Sequence, residues 1–202
     1  MHSTDTEIGG IYIHTGAPIS GDTYGTGRGW ERPVSFEYFD ADSASIQADC
    51  GVSLHGGHGR RPEKSPKHNL LLEFKSEYGP SRLNYAFFGE EGSGNYNKLV
   101  LRAEFCNSWT HHGHDQRVIA TYQRDIWTKD TQRDMGHPSS NSIHVNLYIN
   151  GIYWGLYAPS ERMDADFGEK YLGGNAEDYD VNEIRRNVDH IKWRHTIGER
   201  DD

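Results

Sequence analysis

The sequence predicts an α+β fold, a mainly antiparallel sheet carrying one long amphipathic helix. Three observations lead there. Apolar and polar residues alternate in several short runs, the apolar period lengthens to three and four in one segment, and an Asn-Gly pair sits between alternating apolar residues. The alternating runs come first, the helical segment next and the hairpin last, an order that lays the helix on one side of the sheet.

Taken in order, "GIYIH" is the first strand, and the Gly-rich stretch from Thr15 to Pro33 reads as a surface loop. Val34, Phe36 and Tyr38 then share one strand face, and Ala48, Cys50, Val52 and Leu54 share the next. Leu70, Leu72 and Phe74 form a third alternation, and Leu99 and Leu101 a fourth in "KLVLRAEF". From Asp115 to Met135, Val118, Ile119, Tyr122, Ile126 and Trp127 recur at helical spacing with charged residues between them, and Gly136 with Pro138 supplies the stop. In "SIHVNLYINGIYWGLYAPSE" the pair Asn150-Gly151 closes a hairpin, because both turn positions require positive φ. A second helix is expected from near Asp164 to Leu172, ahead of "GGN". The charged tail from Asn182 has no periodicity that assigns it a structure.

Composition narrows the function classes. The 202 residues suit one domain or slightly more, and five Trp with twelve Tyr predict an aromatic-rich core. Thirty acidic against 21 basic residues argue against broad nucleic-acid or anionic-membrane binding, so any anion site must be local. No apolar run is long enough to span a membrane, and "MHSTDTEIGG" lacks the basic and apolar regions of a signal peptide. Cys50 and Cys106 lack CxxC spacing and read as buried free thiols, with a single disulfide the alternative.

The local anion candidate is the loop in "GVSLHGGHGRRPEKSPKHNLLLEFK". It gathers Arg60, Arg61, Lys64 and Lys67 among glycines, which let a backbone approach an anion. On spacing alone it is a phosphate loop or a solvated hairpin tip. His55, His58 and His68 flank it and add charge when protonated. "HHGHD" (His111, His112, His114, Asp115) offers ligand-type side chains, but adjacent histidines seldom face one metal, and a polar loop ahead of the helix is the expectation. No GxSxG elbow supports a hydrolase. Tyr148, Tyr153, Trp154 and Tyr157 suit either a sugar platform or, by alternation, a core face.

Through "RPVSFEYFD", the basic loop, "LVLRAEFCNSW", "TKDTQRDMGHPSS" and above all "VNLYINGIYWGLYAPSERMDADF", the sequence resembles the CotH kinase family, atypical kinases related to spore coat protein H of spore-forming bacteria. The resemblance runs from about Ile11 to Asp180. It implies a kinase-like N-lobe and hinge over residues 1–181, with 182–202 as the start of a second lobe, and an extracellular, cell-surface or spore-coat setting. It also implies ATP and Mg²⁺ as cofactors and phosphoryl transfer to Ser of a protein substrate. The family's basic segment matches Pro66, Lys67 and His68, so Lys67 becomes the phosphate candidate, with Arg60 or Arg61 as the preceding arginine. Glu161 and Arg162 match the Glu-Arg pair after the hairpin, where a hinge meets adenine and ribose. Asp125 or Asp130 is the helix acid available to pair with Lys67.

The sequence departs from the family where its metal-binding and catalytic carboxylates follow, since no Asn-x-Asp or Trp-Asp-x-Asp pattern occurs. Asp201 and Asp202 lack that context, and the resemblance implies a domain truncated before its catalytic acids. The alternative function is a non-catalytic structural or binding module of a coat or cell-surface protein.

Overall fold

A computed structural model describes residues 10–15, 31–40, 44–56, 59, 64–187 and 190–197. The chain divides into two compact units, Met1–Glu161 and Arg162–Asp202.

The first unit is a seven-stranded closed barrel with two short strands beside it. In chain order the strands are β1 (Gly10–Thr15), β2 (Arg32–Phe39), β3 (Ser45–His55), β4 (Asn69–Glu73), β5 (Leu83–Asn84), β6 (Asn95–Tyr96), β7 (Lys98–Arg102), β8 (Val145–Ile149) and β9 (Ile152–Glu161). Around the barrel the order is β1-β2-β3-β4-β7-β9-β8, while β5 and β6 pair apart. Every barrel neighbour is antiparallel except β8 and β1, whose parallel pairing of Gly10 with Asn146 closes the ring. The expected order of strands, helix and hairpin is present, but the sheet curls shut, so likeness to a kinase lobe extends no further than element order.

Alternation explains the inside. Phe36, Cys50, Val52, Leu72, Leu99, Leu101 and Leu147 are fully buried, and the predicted aromatic core follows. Phe36 meets Phe74 edge-on at 6.0 Å, and Tyr38 lies 4.5 Å from Phe87. In β4 and β7 the intervening Leu71 and Val100 are buried as well, so these strands are covered on both faces. Asn150 and Gly151, at φ 48° and 77°, make the expected tight turn of the β8–β9 hairpin.

The predicted 115–135 helix is two helices, α1 (His114–Val118) and α2 (Arg124–Asp134). The break lies at Tyr122, whose φ is 60°. Its N–H bonds the Asn107 carbonyl, and the Asn107 side chain takes the Thr121 N–H, so the backbone bonds a helix needs are drawn elsewhere. Tyr122 is buried, whereas Val118, Ile119 and Trp127 are exposed, so the apolar periodicity does not become a buried face. Cys50 is a buried free thiol, but Cys106 is exposed. No helix among the described residues is long and apolar enough to cross a membrane.

The second unit opens with α3 (Ala165–Leu172), capped as expected by Asp164, whose side chain accepts from the Phe167 N–H at 3.3 Å. Gly173 at φ 85° ends it. The tail, which periodicity left without a structure, contains the antiparallel strands β10 (Asp180–Asn187) and β11 (His190–Ile197).

Candidate functional site

Strands β3 and β4 form a hairpin, and the basic stretch is their connection. Arg60, Arg61 and His58 lie outside the described residues. Its end, 64–68, is tied down. The Ser65 hydroxyl donates to the Lys67 carbonyl and accepts from the Lys67 N–H, at 3.0 and 3.2 Å. The His112 N–H donates to the Lys64 carbonyl, and His68 Nδ1 is 2.8 Å from the Gly59 carbonyl. Lys67 is therefore a buried residue on a pinned backbone. It is not the solvated lysine of a loose hairpin tip.

Its side chain runs to the β9 strand. The ammonium donates to the Leu156 carbonyl and lies over two rings, 4.4 Å from the Tyr157 centroid and 5.3 Å from that of Tyr122. Gly155 lies beside it at φ 121°, a conformation that favours glycine, and a Cβ there would only touch Lys67 Cε at 3.4 Å. Burial lowers the Lys67 ammonium to about 8, partly offset by the charge of Glu104.

Glu104 follows β7 and holds φ at 55°. Its carboxyl group is pushed above the ordinary range by burial first and by Asp125 second, with Arg102 acting in opposition. Among the described residues three non-glycines have positive φ. Asn150 belongs to a hairpin turn, while Glu104 and Tyr122 both act on Lys67, one by charge and one by its ring. Strain of this kind persists where surrounding structure enforces it, and it gathers at working sites.

The sequence-derived candidates separate. Lys67 is held level with Leu156, and Glu161 stands five residues further along β9, roughly 16 Å away by strand rise. Glu161 is buried and accepts from the N–H and side-chain amide of Asn141 at 2.9 and 3.0 Å. Arg162 belongs to the second unit, its Nε 3.8 Å from Asp164. Neither expected helix acid pairs with Lys67. Asp125 holds Arg102 at 3.1 Å and Lys129 at 2.8 Å, and Asp130 holds Arg133 at 2.6 Å. Glu104 and Asn107 carried no signal in the periodicity, and Tyr122 entered it only as one apolar position of the expected helix.

The histidine cluster divides, with His111 and His112 packed and His114 and Asp115 exposed. His111 is buried, its Nδ1 accepts from the Gly113 N–H at 3.0 Å, and its ring lies against His112 and Phe105 at 4.2 and 4.8 Å. Of the hairpin aromatics, Tyr148 and Tyr157 are buried and Tyr153 and Trp154 exposed, a split between core and surface. Among the described residues no group of three His, Cys, Asp or Glu is placed to hold a metal ion.

A family model described as CotH kinase protein matches residues 52–197, from within β3 to the end of β11. No curated protein matches the chain.

Proposed function

Since the chain belongs to the CotH kinase family, we propose that it binds a nucleoside triphosphate, with Lys67 as the cation for the phosphate chain and the β9 segment ending at Glu161 meeting the base. In this reading residues 1–181 form the nucleotide-binding lobe and hinge, 182–202 begin a second lobe, and the family reaction is ATP-dependent phosphorylation of a protein Ser. The observation that carries it is the setting of Lys67: a buried ammonium held by a carbonyl and two rings, beside strained neighbours. Such a cation loses hydration on folding and regains interaction energy when a phosphate arrives. The separation of Lys67 and Glu161 along β9 suits a ligand with a base at one end and phosphates at the other.

In the reaction a Ser hydroxyl oxygen attacks the γ-phosphorus, the bond to the ADP oxygen breaks, and the hydroxyl proton passes to a base. Lys67 would orient the phosphates and counter their charge. Mg²⁺, where bound, supplies further neutralisation of the phosphates. The described residues offer it no cluster of ligands, and the part that falls to their side chains is binding and orientation.

The test is calorimetric titration of ATP with Mg²⁺ into the wild-type chain and Lys67→Met, beside a radiolabelled-phosphate transfer assay. The expected result is binding in the wild type that weakens at least ~tenfold in the variant. It should also weaken as pH rises through about 8, where Lys67 loses its proton. Equal affinity in the two proteins would overturn the assignment of Lys67. No binding in either would favour the structural-module function.

A further inference from the structure

In a typical kinase the phosphate-binding lysine is steadied by an acid on the helix beside the sheet. Here neither expected acid of α2 does so, because Asp125 is committed to Arg102 and Lys129, and Asp130 to Arg133. We infer that Glu104, on the turn after β7, is the positioning residue for Lys67, steadying and aiming its ammonium toward the phosphate chain. This rests on the nucleotide reading of Lys67.

Three observations converge on Glu104. The contacts place it: Asn107 donates its side-chain amide to Glu104 and accepts the N–H of Tyr122 on its carbonyl, and the Tyr122 ring lies under the Lys67 ammonium. Its burial is unusual, for the side chain is 2% exposed, Oε1 accepts no hydrogen bond, and Oε2 takes a long 3.5 Å bond from Asn107. Its backbone is strained at φ 55°, where glycine would sit without cost.

A glutamate kept for stability alone would have a close cation and a relaxed backbone. Instead Arg102 stands at 3.7 Å from Glu104, closer at 3.1 Å to Asp125, and is itself 40% exposed. The charge of Glu104 does act on Lys67, raising its basicity against the burial that lowers it. The groups around the pair are Tyr122 and Tyr157 on Lys67, and Asn107, Arg102, Asp125 and Lys129 around Glu104. When Lys67 swings from the Leu156 carbonyl to a phosphate, Glu104 is the acid placed to share it.

The experiment compares wild type, Glu104→Gln and Glu104→Gly as purified full-length chains. The pH profile of Lys67 acylation by a small amine reagent is read by mass spectrometry, alongside ATP-Mg²⁺ titration and thermal melting. Both variants should label Lys67 several-fold faster near neutral pH, because the amine titrates lower without Glu104, and both should bind ATP ~tenfold more weakly. Melting should hold or rise, most in Glu104→Gly, which relieves the positive φ. A purely structural Glu104 would lower melting and leave the labelling profile in place, and that result overturns the inference. A shifted profile in variants of a wild type that binds no ATP supports the Glu104–Lys67 pairing and overturns the nucleotide reading instead.

Discussion

The two ends of β4 carry the same residue types to opposite effect. At the C-terminal end Lys75 bonds Glu31 at 2.7 Å and lies 3.4 Å from Glu73, which faces Lys98 at 3.4 Å. Burial alone would lower Lys75, but these two carboxylates outweigh it and hold the ammonium above its ordinary value. At the N-terminal end Lys67 donates to a carbonyl, lies over two rings and is lowered to about 8. Opposite charges placed in contact stabilise the fold, whereas a charge buried against aromatic rings keeps its capacity for a ligand at the fold's expense. The same strand thus separates an end tied by ion pairs from the end on which the nucleotide proposal rests.

The greatest disruption would remove both ends together. Phe36 packs against Phe74 and Phe87 in the core between them, and Phe36→Ala should cost about 3–5 kcal/mol in urea denaturation. Next in size is Lys67→Met, which keeps the stem and deletes the charge. At neutral pH it should stabilise the chain, by on the order of 2 kcal/mol, while weakening ATP binding at least ~tenfold. The sign follows from protons. Between pH 8 and 10.5 the folded lysine has released its proton and the unfolded one has not, so wild-type stability rises with pH and the advantage of methionine disappears. Denaturation curves of the two proteins across that range would show it, and a constant difference would show that the burial cost of Lys67 is misassigned. The smallest effect sharpens the contrast. Lys75→Met should destabilise by about 0.5–1 kcal/mol at neutral pH, opposite in sign to Lys67→Met, and high salt should shrink it.

Features set by local chemistry were legible in the sequence. Asn150-Gly151, the Asp164 cap and the alternation of Val34, Phe36 and Tyr38 each carry their reason within a few residues. The break between α1 and α2 was not, because it depends on Asn107, fourteen positions before Thr121, capturing that residue's backbone. The β10–β11 strands escaped because β10, DVNEIRRN, lacks an apolar alternation and the one in β11, Ile191, Trp193 and Ile197, is interrupted by His195. At the candidate site, Lys67 was singled out through its likeness to the family motif, since spacing alone left the loop open between phosphate binder and solvated tip. Glu104 was invisible for a different reason. A glutamate after a strand ordinarily points to solvent, and only the tertiary fold shows this one enclosed at positive φ.

Closure of the barrel bears on how the chain acquires its structure. Strand β1 finds its last partner only when residue 146 is available, so the first strand made must wait for the eighth. Such sequence-distant pairing makes folding slow and leaves β1 and β2 as a provisional ribbon with an open edge during synthesis. A fragment trimmed to the family-matched residues 52–197 would remove that ribbon with most of β3, and expose the edges of the β3 remnant and of β8 together. Those edges are templates for pairing with other copies, so turbidity and strand-mediated association would accompany the shortened chain.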